Sequence, residues 1–406
     1  MNLYKKLQEA PLHWLVLVLI LNGFGLITLY SISQGGASFS FSSRFVKFLF
    51  WFFPAFGAFF FFLGLPKRLI HEYSYIAVVF AFASLFLPYL TDPVAGTYRW
   101  ISIGSVNFQP AEVMKWLVVI ALARYLSDHR LQLKKVQSLF VPIVAVMIPA
   151  GVIAKQPDLG SAVIIVAPLI PLLYWVGARP LHIFLLLAPI FSIITAFNYY
   201  TFTVWMIFIA VILFFSRSTL RVMLAHFFGN VFLGLLTPVI WNSLRAYQKE
   251  RVLVLLDVTR DPLGAAYQVI QSQTAIGSGG LWGKGFGHGT QTHLKFLPEQ
   301  ETDFIFSVIG EEFGFIAVAF ILVLFAFLLL DMIQRAYKTS ERFPSLVLFG
   351  ITALFMSHIF VNVGMTVNLL PVKGLPLPFI SYGGTFLVSC YAMLGLAMNM
   401  SIESTD

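Results

Sequence analysis

Long apolar runs, separated by short polar breaks, follow one another along most of the chain, and this pattern constrains the fold more than any other feature. Runs of about 17 to 25 residues can cross a bilayer as helices. Because such runs recur throughout the chain, the sequence predicts an all-α polytopic integral membrane protein with about 10–12 transmembrane helices. The predicted spans are 12–32, 45–65, 72–90, 110–126, 137–154, 159–177, 181–197, 201–216, 220–243, 304–330, 345–367 and 380–402.

Composition agrees with this assignment and excludes several other classes. The chain of 406 residues is 59% hydrophobic and 11% charged, with a mean hydropathy of +0.85, which is far from the balance of soluble domains. Its first apolar run is followed by many others, so the N-terminus is not expected to be a cleaved signal peptide. The single cysteine, Cys390, excludes an internal disulfide framework. We therefore expect residues 1–406 to form one transmembrane domain.

The distribution of basic residues predicts the orientation in the membrane. Loops on the side of the N-terminus hold about fourteen Lys and Arg, against about five on the other side, and short basic loops stay cytoplasmic. Both termini are therefore expected in the cytoplasm, and the long loop 243–302 outside it. The net charge of +8 agrees with anionic lipid on the inner side. The sequence contains no nucleic-acid-binding motif.

The long loop carries a glycine-rich tract and an amphipathic segment near Ala265 to Ile276. A phosphate-binding loop would need a glycine where Ser278 stands and Ser or Thr where Gly285 stands, so nucleotide binding is not expected. His288, His293, Glu299, Glu301 and Asp303 are chemically able to bind a metal, but their spacing fits no compact zinc pattern. A divalent cation shared with a substrate phosphate is the more plausible alternative.

Asp303 stands where an apolar helix is expected to begin. Ser307 and Gly310 would then lie on the same face and Glu311 to one side, about 12 Å deeper at 1.5 Å per residue, giving a polar seam that descends from the outer surface. Buried carboxylates in spans usually face a cavity or the bundle interior. From spacing alone, an acid at a helix N-terminus that is favoured by the dipole is an equally good interpretation of Asp303.

Other charges occur inside or beside predicted spans. Glu112 and Lys115 are three residues apart and can pair on one helix face, either to fix helix packing or to support a cavity. Asp158, in KQPDLG, is predicted to cap the sixth span.

Arg44, Arg99 and Arg251 are expected on the outer side, where arginine suits phosphate recognition, although each could instead anchor the interface. The segment from Asn362 to Thr385 is rich in proline and glycine, and it could be an ordinary loop or the wall of a cavity. Within it, Lys373 is a further candidate for substrate binding.

Several of these motifs occur together in one known family. The stretch GAAYQVIQSQTAIGSGGLWGKGFGHGTQTHLKFLPEQETDFIFSVIGEEFG, with QPAEVMK, QPDLG and LPLPFISYGG, resembles the SEDS family of cell-wall polymerases and, within it, the RodA-like branch. By position, the essential aspartate of the family falls on Asp303, and its buried acidic and basic pair falls on Glu112 and Lys115. Glu301 stands where relatives are expected to have histidine. Residues 197–241 depart from the usual ten spans of the family.

The resemblance implies a peptidoglycan glycosyltransferase that polymerises lipid II at the outer face of the bacterial cytoplasmic membrane, with a class B penicillin-binding protein as its transpeptidase partner. Asp303 would then be the catalytic base, with Arg44, Arg99, Arg251 and Lys373 binding substrate. Glu112, Lys115, Asp158 and Glu311 would support the cavity. Elongation is the expected cellular role. A flippase for lipid-linked precursors and a non-catalytic scaffold are the alternatives.

Overall fold

The computed structural model describes residues 3–34, 44–93, 96–104, 106–129, 139–216, 219–264, 266–294 and 296–402. Seven of the described helices are long and apolar enough to cross a membrane, and four shorter apolar helices accompany them. The helices in chain order are α1 Leu3–Glu9, α2 Leu12–Gln34, α3 Arg44–Gly64, α4 Lys67–Ser84, α5 Pro110–Asp128, α6 Phe140–Lys155, α7 Leu159–Val166, α8 Leu169–Trp175, α9 Pro180–Thr195, α10 Tyr199–Phe215, α11 Leu220–Ser243, α12 Ala246–Leu256, α13 Tyr267–Gly279, α14 Thr290–His293, α15 Ile305–Lys338, α16 Arg342–Thr366 and α17 Gly384–Ser401.

The predicted polytopic helical fold is confirmed, and the predicted breaks in the apolar pattern have physical causes. Asn198 accepts hydrogen bonds from the main-chain N–H groups of Tyr200 and Thr201, so it caps α10 where a break was predicted. The predicted span 159–177 is two short helices, α7 and α8, which are separated at Pro168. Proline lacks the N–H group that would continue the helical ladder. The first residues of the predicted span 137–154 lie outside the described part of the chain.

Five helices form the centre of the bundle. α17 packs along α3, and α16 packs against α5 and α15. Tyr391 of α17 is fully buried against the rings of Phe56 and Phe59 of α3. The helices α9, α10 and α11 contribute a separate small apolar cluster around Leu185, Met206 and Ile209. No residue of this small cluster lines the cavity described below.

The described ends of the chain meet at one end of the bundle, here called the terminal end. The Lys6 ammonium donates to the carbonyl of Leu65 at 2.7 Å and to Asn399 Oδ1 at 3.0 Å. Lys6 lies in α1 and Asn399 in α17, so the first and last described helices share this end. The opposite end, here called the loop end, carries residues 244–264, 266–294, 296–304 and 367–383.

A short hairpin and one long helix differ from the expected pattern. Strands β1 Ile101–Ile103 and β2 Val106–Phe108 pair antiparallel before α5, which the apolar runs alone do not predict. α15 continues to Lys338, beyond the predicted end at 330, because its last turns reach past the apolar run. α15 also breaks at Gly314, whose φ of 76° and ψ of −174° are not helical.

The predicted polar seam below Asp303 is wrong, because α13 covers that face of α15. The hydroxyl groups of Ser272 and Ser307 are 2.7 Å apart, and Gly279 of α13 lies against Gly310. α13 is the segment that the sequence marks as amphipathic near Ala265 to Ile276; it starts at Tyr267, and Ala265 lies outside the described residues. Its buried face packs on α15, so Ser307 and Gly310 are helix contacts.

Candidate active site

A cavity of about 700 Å³ opens at the loop end, and residues distant in sequence build its wall. The first turn of α5, the residues before α7, one face of α12, the residues before α15 and the 367–383 segment all contribute. Four cations and four carboxylates line the cavity, namely Arg99, Arg245, Arg251 and Lys373 with Glu112, Asp158, Glu299 and Asp303. This mixture suits a ligand that carries negative charge and also loses a proton.

Asp303 lies in this wall, held through its main chain. Its N–H group donates to the carbonyl of Glu299 at 3.0 Å, and its own carbonyl accepts from Asn362 Nδ2 at 2.9 Å. α15 begins at Ile305 with Phe304 as its N-cap, and no side chain caps that end. Asp303 therefore does not cap α15 through its side chain, and its carboxyl group lines the cavity; its position just before the helix keeps a favourable interaction with the dipole as an alternative.

The surroundings of Asp303 adjust its acidity. Burial, followed by the negative charge of Glu299, raises the pKa of Asp303 from 3.8 to about 7. A hydrogen bond from Thr302 and the charges of Arg251 and Arg99 act in the opposite direction. A carboxyl group with a pKa near neutrality is well suited to accept a proton at the pH at which most enzymes work.

Three of the four predicted substrate-binding cations face the cavity. Arg251 of α12 donates to the carbonyl of Val372 at 2.9 Å, which ties the long loop to the 367–383 segment. Arg99 donates to the carbonyls of Gln156 and Pro157 and lies 4.0 Å from Asp158. Burial and the charge of Arg251 lower the pKa of Lys373. The positive charges are thus collected around one volume.

Arg44 is placed elsewhere. Its guanidinium lies 2.5 Å from Glu301 and 3.7 Å from Glu299, and it is not among the residues that line the cavity. Glu301 stands where relatives are expected to have histidine. In this chain its negative charge forms an ion pair with Arg44. Arg44 thus lies beside the cavity, next to the lining residue Glu299, and its contact with substrate stays a prediction.

Asp158 caps α7, as predicted, and also lines the cavity. It accepts from the N–H group of Ser161 at 3.1 Å and from Gln109 Nε2 at 2.9 Å. Each oxygen of the Asp158 carboxylate thus accepts a hydrogen bond from the start of a helix, one from α7 and the other from α5. The cap and the cavity wall share one carboxylate, which fixes these two helix starts relative to each other.

Glu112 and Lys115 form a buried pair at the inner wall. Their side chains are 2.8 Å apart, and the two residues are only 4% and 3% exposed. His358 Nε2 lies 3.3 Å from the Lys115 ammonium, which also faces the ring of Phe386. Glu112 reaches the cavity whereas Lys115 lies behind it, so the pair supports the wall and neutralises a buried charge.

Glu311 does not reach this cavity either. Its carboxylate accepts from Lys284 Nζ at 2.7 Å and from the N–H groups of Gln291 and Thr292 at 3.0 and 3.3 Å. These donors all belong to the glycine-rich tract and α14. Glu311 is thus structural, as predicted, but it fixes the long loop against α15 rather than supporting the cavity.

No group of three or more His, Cys, Asp and Glu side chains among the described residues is arranged to hold a metal ion. Asp303 and Glu299 line the same cavity, so a divalent cation would need substrate oxygens to complete its coordination. The donor set therefore fits a cation that arrives with a phosphate and does not fit a site made of protein alone.

The pattern of apolar runs in the sequence does not predict some of the residues that line the cavity. Arg245 and Gln248 precede Arg251 by six and three residues, which places all three on one face of α12. That spacing would have identified them had the loop been recognised as helical at this point. Gln268, at the start of α13, reaches the cavity only through the packing of α13 on α15.

The fold and site together define a multi-pass membrane protein with a polar cavity at one end of a helical bundle, containing a carboxyl group of raised pKa among cations. A family profile described as "Cell cycle protein", which joins FtsW, RodA and SpoVE, matches residues 12–203 and 184–406. The chain therefore belongs to the SEDS family of peptidoglycan glycosyltransferases.

Relatives in this family are similar along most of the chain. Peptidoglycan glycosyltransferase MrdB of Escherichia coli (strain K12) is 33% identical over 306 residues, which cover 75% of this chain and 71% of the relative. Stage V sporulation protein E of Bacillus subtilis (strain 168) is 31% identical over 409 aligned positions, covering 98% of both chains.

Solved structures share the fold. A chain from the structure described as "Structural coordination of polymerization and crosslinking by a peptidoglycan synthase complex" matches with a TM-score of 0.72 at 25% identity, covering 97% of both chains. The rod shape determining protein RodA of Thermus thermophilus matches with a TM-score of 0.63 at 21% identity, covering 97% of this chain and 96% of that one. At that identity the second match shows the fold alone.

Proposed function

We propose that this protein polymerises lipid II into glycan strands, with Asp303 as the general base. The observation that carries the proposal is the position of Asp303, whose pKa is raised to about 7, in the wall of a cavity that four cations also line. A base and a set of diphosphate-binding cations are the two requirements of this transfer.

The reaction breaks two bonds and forms two, since the proton released by the acceptor hydroxyl becomes bonded to Asp303. An acceptor sugar hydroxyl attacks the anomeric carbon of the donor, and its proton passes to the Asp303 carboxylate. A new glycosidic bond forms as the bond from the anomeric carbon to the diphosphate oxygen breaks, and the electron pair leaves with the lipid diphosphate. Arg251, Arg99 and Lys373 would bind the growing negative charge on that leaving group. A positioned base contributes roughly 10²- to 10⁴-fold to such a step.

The carboxylates of Asp303 and Glu299 would help to hold a divalent cation, Mg²⁺ or Mn²⁺, when substrate is present. When bound, such an ion supplies positive charge to the leaving group. The residues of the chain would hold the ion only together with the substrate. Binding of the metal to the protein should therefore be detected when lipid II is present and not when it is absent.

The position of the cavity suits a substrate that is half lipid. With the termini in the cytoplasm, as the basic loops predict, the loop end faces outward and the sugars remain on the aqueous side. The cavities at the terminal end, which are lined around Asp331 and Tyr337, share no lining residue with the cavity at Asp303. A transporter needs a path from both faces, so this arrangement favours the enzyme over a flippase.

Elongation is the proposed cellular role, with a class B penicillin-binding protein as partner. The RodA-like motifs of the sequence support the first point, although relatives named stage V sporulation protein E and FtsW are similar to the chain at 31% and 33% identity. The solved chain from a peptidoglycan synthase complex supports the second. Restoration of rod shape in cells that lack their elongation polymerase, without rescue of cells that lack the division polymerase, tests the assignment.

The biochemical test compares wild type, Asp303→Ala and Asp257→Ala at equal folded amounts in liposomes, with lipid II, Mg²⁺ and the partner transpeptidase. Asp257 is exposed in the same loop, where it caps Thr259 outside the cavity, and serves as the matched acidic control. We expect long glycan from wild type and from Asp257→Ala, and none from Asp303→Ala. Equal polymer from all three would exclude Asp303 as the base, and no polymer from the folded wild-type complex would favour a flippase or a scaffold.

A further inference from the structure

The glycine-rich tract of the long loop contains an exposed apolar turn. Leu281 and Trp282 form the tip of this turn and are 62% and 79% exposed. Large side chains of this kind are seldom left in water without a role, and Trp is enriched where a membrane meets water.

The break in α15 fixes the level of this turn. The N–H groups of Phe315 and Ile316 donate to the carbonyls of Gly280 and Leu281 at 2.9 and 3.2 Å. A side chain at Gly314 would collide with the main chain of the turn, 2.3 Å from the nitrogen of Gly283. Main-chain hydrogen bonds therefore hold the turn against α15 at the break in this helix. The turn cannot move into solvent separately from α15.

The length of the apolar part of α15 then locates the turn relative to the bilayer. From Phe315 to Leu330 the chain carries sixteen consecutive apolar residues, and Asp331 follows. At 1.5 Å per residue this stretch is about 24 Å long, less than the roughly 30 Å of a hydrocarbon core. The residues of α15 before this stretch are enclosed by the rest of the protein, and Phe315 is the first exposed apolar side chain of the helix. The surface of α15 that lipid can cover therefore begins at Phe315, beside the turn that is bonded to it.

The neighbouring surface is continuous with a face that lipid covers. Phe315 and Ile316, beside the turn, are 62% and 45% exposed at the start of this span. Leu281 and Trp282 extend that apolar surface sideways. On the other side of the tip, Lys284 points away to Glu311 and Thr290, which keeps its charge toward the loop.

We propose that the Leu281–Trp282 turn is inserted into the lipid interface at the loop end, where it anchors the long loop to the bilayer beside α15. Trp282 places its ring at headgroup level, as aromatic side chains do in membrane belts. The glycine-rich tract then holds α13 and the residues before Asp303 at a fixed level relative to the membrane surface. The long loop is by this account a membrane-attached wall of the cavity.

Site-directed fluorescence in lipid nanodiscs tests this placement. The chain has one cysteine, Cys390, which is fully buried, so Trp282→Cys offers a single site for an environment-sensitive nitrobenzoxadiazole label. Phe315→Cys is the reference for a lipid-facing position, and Thr259→Cys, exposed between Asp257 and Arg260, is the aqueous reference. None of the three positions lines the cavity, and thermal unfolding of each variant in detergent, compared with the parent protein, reports whether it keeps the native fold.

Lipids with a nitroxide near the headgroup and dissolved iodide are the two quenchers. We expect the label at 282 to be quenched by the lipid nitroxide within about twofold of the label at 315, and about fivefold more than at 259, as an interfacial residue requires. Quenching at 282 that matches 259, by iodide and not by lipid, would overturn the proposal. The readout needs no turnover, so it is separate from the test of polymerase activity.

Discussion

Asn362 of α16 bridges the two main-chain segments that enclose the proposed base. Its Nδ2 atom donates to the carbonyl of Asp303 at 2.9 Å and to the carbonyl of Leu375 at 2.7 Å. Ser381 adds a second bridge, donating to the carbonyl of Thr302 at 2.5 Å and accepting from the N–H group of Leu377 at 2.8 Å. The position of Asp303 therefore depends on a helix and a segment that are distant in sequence.

Replacement of Asn362 by alanine should slow polymerisation by about 10²-fold, since small displacements of a catalytic group have effects of this size. The loss should fall on kcat rather than KM, because the cations that bind the diphosphate remain. Initial rates over a range of lipid II concentrations measure both constants.

Asn399→Ala is the matched control. Asn399 is equally buried and bridges the carbonyls of Phe62 and Leu65 at 2.8 and 2.7 Å, at the terminal end. Both variants should lose about 1 to 3 kcal/mol of stability. Equal losses of kcat in the two folded variants would show that Asn362 acts only through stability.

Gly374 leaves space beside the Asp303 carboxyl group. Its φ is +66°, and a Cβ atom there would lie 3.3 Å from Asp303 Oδ2. Gly374→Ala should reduce polymerisation strongly, because the added methyl group occupies space that the acceptor hydroxyl needs. Gly287→Ala has comparable strain, with φ +74° and no atom within 4 Å, and should remain active. A Gly374→Ala enzyme as active as Gly287→Ala would contradict this account of the site.

The buried pair of Glu112 and Lys115 should behave as a unit. Lys115→Met leaves Glu112 without its cation and should destabilise the fold by about 3 to 5 kcal/mol. Glu112→Gln combined with Lys115→Met removes both charges and should cost clearly less than the sum of the two single changes. Thermal unfolding in detergent measures this coupling, and additive losses would show that the 2.8 Å contact contributes no coupling energy.

Acid stability provides a separate check on Asp303. Its pKa is raised in the folded protein from 3.8 to about 7, so the unfolded chain ionises first as the pH rises. This group alone should therefore make the protein less stable as the pH rises through that window, and Asp303→Asn should remove the trend. If the free energy of unfolding of Asp303→Asn depends on pH in the same way as that of wild type, the raised pKa of Asp303 is excluded.

Local pattern was enough to predict most of the spans, the capping role of Asp158 and the place of Asp303 just before a long apolar helix. Apolar length and the chemistry of one side chain determine these features, and both are visible in one stretch of sequence. The placements of Arg44 and Glu311 could not be predicted in this way. They depend on which partners arrive from other segments, Glu301 for Arg44 and the glycine tract for Glu311.

Parts of the cavity wall could not be predicted from local sequence either. Arg245 and Gln248 belong to it because α12 forms and turns one face inward, although its residues were assigned to a loop. The predicted seam along α15 failed because α13 packs on it, a tertiary contact that helical spacing within α15 cannot indicate.

The most direct test of the central claim is the single-turnover rate of glycan polymerisation measured over roughly pH 5 to 9, for wild type, Glu299→Gln and Glu250→Gln. Glu299 raises the pKa of Asp303 through its negative charge, whereas Glu250 pairs with Arg260 and does not line the cavity. We predict a wild-type rate that rises about tenfold per pH unit and levels off near the pKa of Asp303, with the inflection at lower pH in Glu299→Gln and unchanged in Glu250→Gln. A rate independent of pH across this range, or the same inflection in all three proteins, would contradict the assignment of Asp303 as the base.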